Sequence, residues 1–546
     1  MSGLFMNFKN ILKKNKESIA LITIFVLTTI IIGRPFNLLV NDDGIFIRNV
    51  KNFYDGSFSL HPLTAPTFYL QAITGFIATK IFGFNFEVLR ILNIIFALAT
   101  SITTFHLIKN LTKNNTISLI VVLAFISNPF FWFLSYSYMT EIHFFLLSTI
   151  SFLLFFKYLQ NKTYKNAIYL SIALSLLFLV RQIGLIFVVS FVFSLFITQK
   201  NLNKKDTVIL LLPLVAFFWY QNFSKTTEYS EAGIFETIKN FFDYNFMVTV
   251  FLKRLFDSST YYGLFIVPII PLFLFNKSFY KNLTNYKNIF ILTIIGLPFI
   301  LKLIEKLQNH FTFPTLQNVF TLKGFYPSAI PSSDRFVNYP LFYNLHTSLL
   351  IIGILGFILS IFILITSVPK LKNLEKTKQT ILIASIINII TITAITLAFR
   401  AVYDRYIFLI FFLSLIPLSF ILNFKLSKVA ISSSILLILL FTSVSIIFQK
   451  DYISWNQKRN DIITYATSKY NQNICDLEGV GEWEDYLYYE CKDIQNKLKK
   501  TLRISWQDSD NIEGKNYIKL KTFTFNSPLG KQENKLYLLQ KINYEN

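Results

Sequence analysis

Long apolar runs recur along most of this 546-residue chain, as in "IALITIFVLTTIII" (19–32) and "SLLIIGILGFILSIFILI" (348–365). A helix of roughly 20 apolar residues spans the ~30 Å hydrocarbon core of a bilayer, and a buried helix of a soluble protein seldom needs so many. Hydrophobic residues make up 53% of the sequence. The expected class is therefore an all-α polytopic membrane protein.

The net charge of +22 would suit a nucleic-acid partner only if the basic residues gathered on one surface. They do not. Lysines cluster in short polar breaks, among them Lys13, Lys14 and Lys16, then Lys109 and Lys113, Lys162 and Lys165, Lys204 and Lys205, and later Lys372, Lys376 and Lys378. These breaks follow every second apolar run, as alternate cytoplasmic loops should. The charge reads as topology, and no nucleic-acid partner is expected.

Placing spans by this alternation gives about thirteen. Their expected limits are 18–33, 88–108, 116–134, 141–158, 167–182, 184–198, 207–222, 261–276, 289–303, 346–367, 380–399, 405–423 and 429–448. An odd number places the N-terminus in the cytoplasm, behind an uncleaved signal anchor, and the C-terminus outside. The longer loops 34–87, 223–260 and 304–345 then face outward. In the second, Ile234, Phe235, Ile238, Phe241 and Phe242 recur at helical spacing, as in a helix lying in the interface plane.

The expected division is a transmembrane domain over 1–450 and an extracytoplasmic domain over 451–546. The tail changes character, with alternating stretches such as "YIKLKTFTF" that predict strands in a small α/β or β-rich unit. It holds both cysteines, Cys475 and Cys491. In an oxidising compartment they can form a disulfide, worth on the order of 3 kcal/mol for so short a loop.

Against this apolar background, "NDDGIFIRNVKNFYDG" opens the first outer loop with two adjacent carboxylates, Asp42 and Asp43. Neighbouring acids repel, and each resists leaving water. Glu141 opens the fourth span on the same side, Arg181 closes the fifth, and Arg400, Asp404 and Arg405 occupy the outer turn "FRAVYDRYIF". Charged residues in spans cost about 2.5–3.5 kcal/mol each at the bilayer centre. Their shared depth reads as one site. A carboxylate there can act as general base. Its neighbour can hold a divalent cation (Mg, Mn or Zn), which makes Asp42 and Asp43 the candidate metal ligands. Arginines bind phosphate through a fixed fork of donors and neutralise a departing phosphate. At the membrane edge this set suits a lipid phosphate as leaving group. The five histidines are scattered, and no Gly-rich phosphate loop or G-x-S-x-G elbow occurs.

Four stretches in order, "NDDGIFIRNVKNFYDGSF", "SYMTEIHFFLL", "FLVRQIGL" and "DRYIFLIFFL", resemble GT-C glycosyltransferases of the protein O-mannosyltransferase and aminoarabinose transferase type. The resemblance is closest over 1–185 and looser to about 450. It implies transfer of a sugar from a polyprenyl-phosphate donor to a lipid, glycan or protein acceptor outside the cytoplasm, with inversion at the anomeric carbon. Asp42 or Asp43 would be the base or metal-organising acid, and Glu141 the second acid. Arg181 and Arg405, with Arg400 next in line, would hold the donor phosphate. The chain departs from the pattern at Asp43, where Glu is common, at Phe46, where Tyr is usual, and in "LTAPTF", which keeps only Pro66 of a Lys-Pro-Pro stretch. Two rival readings are an oligosaccharide polymerase or ligase, using Lys323, Asp334 and Arg335 of the late loop, and a lipid or sugar transporter. A transporter would need its polar groups nearer the midplane.

Overall fold

The computed structural model describes residues 16–35, 39–40, 42–64, 67–199, 202–223, 237, 239–275, 285–309, 313–316, 318–321, 324–325, 340–372, 374–399, 402–422, 426–480, 483, 486–487, 491, 501–506, 508, 511–512, 515–526 and 534–542. The chain is mostly helical. In order come α1 (Lys16–Ile32), α2 (Asp43–Tyr54), α3 (Tyr69–Phe82), α4 (Phe86–Thr112), α5 (Asn115–Ile126), α6 (Pro129–Ser135), α7 (Thr140–Gln160), α8 (Tyr164–Phe178) and α9 (Gly184–Gln199). They are followed by α10 (Lys204–Phe223), a π-helical turn (Phe246–Phe251), α11 (Leu252–Ile266), α12 (Ile270–Leu274), α13 (Tyr286–Gln308), α14 (Pro340–Lys372), α15 (Lys376–Ala398), α16 (Asp404–Ile421) and α17 (Lys428–Tyr470). Many starts are set by side-chain caps: Asn85, Asn114, Thr163 and Ser427 each accept a backbone N–H of the first turn that follows.

Among the described residues, α4, α7, α13, α14 (over Leu345–Ser367), α15, α16 and α17 are long and apolar enough to cross a bilayer. The protein is an integral membrane protein. The expected thirteen spans are not all helices of that length, since α1, α8 and α9 hold 17, 15 and 16 residues. Expected span 116–134 is two helices, α5 and α6, bent by 69°. Asn128 caps α6 and Pro129 opens it, so the chain restarts a helix where hydropathy alone sees one run. Expected span 261–276 is likewise divided between α11 and α12, on either side of Pro268.

α16 is the central post, with every residue from Asp404 to Ile421 buried except Tyr406. A helix apolar all round belongs in the middle of a bundle. Beside it α11 and α14 cross at backbone contact: a Cβ on Gly263 would stand 1.7 Å from the Gly353 carbonyl oxygen, and one on Gly353 would stand 2.5 Å from that of Thr260. Small residues let membrane helices approach this closely.

α17 is 43 residues long. At 1.5 Å per residue it measures about 65 Å, twice a hydrocarbon core. It runs unbroken through residue 450, where composition changes, so the tail is mounted on the last span as on a rod. The tail carries a five-stranded sheet, order β1-β2-β5-β4-β3, from β1 (Leu477–Glu478), β2 (Leu502–Ser505), β3 (Asn511–Ile512), β4 (Lys515–Phe525) and β5 (Asn534–Lys541). The stretch expected to be a strand, "YIKLKTFTF", lies in β4. Trp506 of the tail stacks on Trp455 of α17 with ring centroids 5.8 Å apart. Cys475 and Cys491 form a disulfide. Within the loop it closes, Trp483 and Tyr486 pack on Phe86 at the head of α4, at 6.0 and 5.5 Å. The tail thereby meets the end of the bundle where α2 lies.

Candidate active site

Four segments far apart in sequence bring their charges together at this tail-bearing end. α2 starts at Asp43, with Asp42 as its N-cap residue, and α7 opens with Glu141 in its first turn. Arg181 sits in the tight turn before α9, which requires Gly184: a Cβ there would stand 2.7 Å from the Phe178 backbone nitrogen. The N–H of Leu70 donates to the Leu179 carbonyl at 3.2 Å, tying this turn to α3. Arg405 is the second residue of α16.

Arg405 joins the set. Its Nη2 donates to Asp42 Oδ2 at 2.6 Å, and its Nε lies 3.6 Å from Glu141 Oε1. Arg181 Nη1 donates to the same Glu141 oxygen at 3.0 Å. Tyr406 lies beneath both guanidinium groups, 5.3 Å from that of Arg181 and 5.5 Å from that of Arg405. Side-chain exposure is graded: 40% at Asp42, 20% at Arg181, 6% at Arg405 and 3% at Glu141. Asp42 and Arg181 are thus the groups a substrate meets first. Glu141 Oε2 is buried and has no hydrogen-bond partner among the described residues.

Asp43 differs from its neighbour. It is fully buried, accepts from Arg90 Nη2 at 3.1 Å and from the Val40 N–H at 2.6 Å, and faces the Tyr138 N–H at 3.4 Å. Burial pushes its pKa up to about 6, against the opposing pull of Arg90 and of the two backbone donors. The two adjacent acids therefore do not share one face. Asp42 points to the open side, and Asp43 is the internal tie between α2, α4 and the turn before α7. This answers the repulsion problem in the sequence, because each carboxylate has its own arginine.

The donor set does not fit a divalent cation. Asp43 is enclosed by a guanidinium and backbone N–H groups, and Asp42 faces a second guanidinium, which would repel the ion. Among the described residues no group of three or more His, Cys, Asp or Glu is placed to hold a metal.

Asp404, next to Arg405, is also fully buried and accepts from the N–H groups of Val319 (3.0 Å) and Phe320 (2.7 Å), which pins the late loop onto α16. Arg400, Lys323, Asp334 and Arg335 lie outside the described residues, as do Pro66, Ile234, Phe235 and Ile238 of the sequence motifs. His143 packs edge-on to Phe96 at 4.7 Å. Sequence reasoning missed Arg90 and Tyr406. Arg90 carried a usable signal, a single arginine inside an apolar span. Tyr406 carried none among so many aromatics.

Residues 66–220 match the family model described as dolichyl-phosphate-mannose-protein mannosyltransferase. The resemblance read from the motifs is borne out there. The matched segment includes Glu141 and Arg181 and excludes Asp42 and Arg405. Similar solved structures include the archaeal oligosaccharyltransferase AglB from Archaeoglobus fulgidus, in complex with an inhibitory peptide and a dolichol-phosphate. It shares 14% identity over 84% of this chain and 58% of its own, with a TM-score of 0.44. ArnT from Cupriavidus metallidurans bound to undecaprenyl phosphate shares 8% identity over 97% of this chain and 99% of its own, with a TM-score of 0.37. The chain thus spans 58% of the length of the archaeal protein. No curated protein matches the sequence.

Proposed function

We propose that the protein is a membrane glycosyltransferase that moves a sugar from a polyprenyl-phosphate donor to an acceptor hydroxyl on the extracytoplasmic side. The observation that carries this reading is the Asp42–Arg405–Glu141–Arg181 constellation, in which an accessible carboxylate stands beside two arginines held by a buried acid. The matched family description, which names a dolichyl-phosphate sugar, supports the donor class. The disulfide of the tail and the alternation of basic loops support an outward-facing site.

In this mechanism the donor phosphate docks on Arg181 and displaces Asp42 from Arg405, taking up the planar donor fork. Asp42, released, accepts the proton of the acceptor hydroxyl as the oxygen attacks the anomeric carbon. The bond to the phosphate oxygen breaks on the opposite face. One displacement inverts the configuration, and the two guanidinium groups stabilise the charge developing on the phosphate. Glu141 touches neither reactant and keeps both arginines in place. Asp43 and Arg90 hold the helix start from which Asp42 projects.

The test is to incubate the purified protein in lipid nanodiscs with radiolabelled polyprenyl-phosphate sugars and a panel of lipid, glycan and protein acceptors. Label on an acceptor, lost in Asp42→Asn, is the expected result. Label released only to water, or movement of intact donor across the bilayer, would replace the reading with a hydrolase or a transporter.

A further inference from the structure

Among the described residues, the turn that launches Arg405 shows none of the usual local devices. α15 ends on the extended residue Phe399, and "AFRAVYD" contains no glycine to close a helix in the left-handed conformation. α16 then starts at Asp404 behind Tyr403, whose side chain makes no cap hydrogen bond, and the Asp404 carboxylate is turned away to the backbone of Val319 and Phe320. The last carbonyls of a helix have no intrahelical donor and must find one elsewhere.

Here they find it on a segment more than 140 residues earlier. Arg254 Nη1 donates to the carbonyls of Leu397 and Phe399 at 2.9 and 2.5 Å, and Asn240 Nδ2 donates to that of Ala398 at 2.9 Å. Three successive carbonyls are thus held by two foreign side chains. A cation also suits the negative end of the helix dipole. Arg254 is itself steadied on the Phe246 ring at 5.3 Å. The segment that supplies these donors exposes Phe242 (88%), Tyr244 (79%) and Leu252 (55%), the pattern of a helix resting in a lipid interface.

We propose that Arg254 is a positioning residue for Arg405, coupling the phosphate-binding guanidinium to a segment seated at the membrane surface. The inference rests on the functional reading above for the role of Arg405, while the geometric link stands without it. Arg254 closes the end of α15, the pinned Asp404 fixes the start of α16, and Arg405 follows directly. With one clamp removed, the guanidinium can drift while the bundle around α16 stays packed.

The experiment uses the full chain in nanodiscs as wild type, Arg254→Ala, Arg254→Lys and Asn240→Ala. It measures amide hydrogen exchange over residues 397–406 and affinity for undecaprenyl phosphate. Arg254→Ala should speed exchange in that stretch and weaken undecaprenyl phosphate binding about 3- to 10-fold, less than loss of the Arg405 fork itself. The melting temperature should move little. Arg254→Lys should recover part of both effects, and Asn240→Ala should show a smaller version. Wild-type exchange in Arg254→Ala would overturn the coupling. Faster exchange with unchanged lipid affinity would also overturn it, leaving Arg254 a purely structural cap. If wild type bound no undecaprenyl phosphate, the functional reading would fall and the exchange data alone would decide the link between Arg254 and the turn.

Discussion

Asp42→Asn is expected to tighten the binding of a polyprenyl phosphate while removing most of the transfer activity. Asp42 pairs with Arg405 at 2.6 Å, and an incoming phosphate has to displace it. With the Asp42 side chain 40% exposed, the pair is partly solvated and contributes about 1 kcal/mol, the upper part of the surface range. Asparagine fills the same space as a neutral, weaker partner. Relief of that competition corresponds to about a fivefold lower Kd. The same change removes the general base, which typically supplies 10²–10⁴-fold in rate. The assay pairs a titration of labelled undecaprenyl phosphate in nanodiscs with single-turnover transfer. Weaker lipid binding in Asp42→Asn would refute the competition, and a wild-type transfer rate would refute the assignment of the base.

The neighbouring acid should behave in the opposite sense. Asp43→Ala removes the shared acceptor of Arg90 Nη2 and the Val40 N–H inside the bundle and should cost about 3–5 kcal/mol of stability, read as loss of folded protein in a thermal melt. Its carboxyl holds a proton up to about pH 6, whereas an unfolded one releases it nearer 4, so the native state carries the extra proton between those values. Wild-type stability should therefore fall as pH rises through that window, and a melt series across it checks the slope. Arg405→Lys keeps the charge but loses the planar fork, so donor affinity should drop about tenfold or more with acceptor KM little changed. Gly263→Val should separate α11 from α14 and abolish stable insertion, seen as aggregation on size-exclusion chromatography, because its side chain would occupy the position of the Gly353 carbonyl.

Much of the architecture was legible because membrane insertion is encoded by composition over windows of about 20 residues. Breaks decided by single residues were less visible, such as Asn128–Pro129 between α5 and α6, or Pro268 between α11 and α12. The common depth of Asp42, Glu141, Arg181 and Arg405 could be read from topology, and these four meet in the structure. The division of labour between Asp42 and Asp43 could not be read. It depends on Arg90, which lies 47 residues further on and faces α2 only once α4 is packed. Adjacent residues at a helix start point in directions set by the tertiary fold, and the sequence records only that both are acids. The clamp on α15 was hidden for a similar reason, since a missing glycine shows that a partner is needed without showing which residue provides it.

The central claim, that Arg405 exchanges a carboxylate for a donor phosphate, is tested most directly by an experimental structure of the protein in nanodiscs with undecaprenyl phosphate bound. The predicted result places the phosphate within hydrogen-bond distance of both Arg181 and Arg405, with Asp42 released and facing the space where an acceptor would enter. A bound phosphate elsewhere, or one at this site with the Asp42–Arg405 pair still intact, would contradict it.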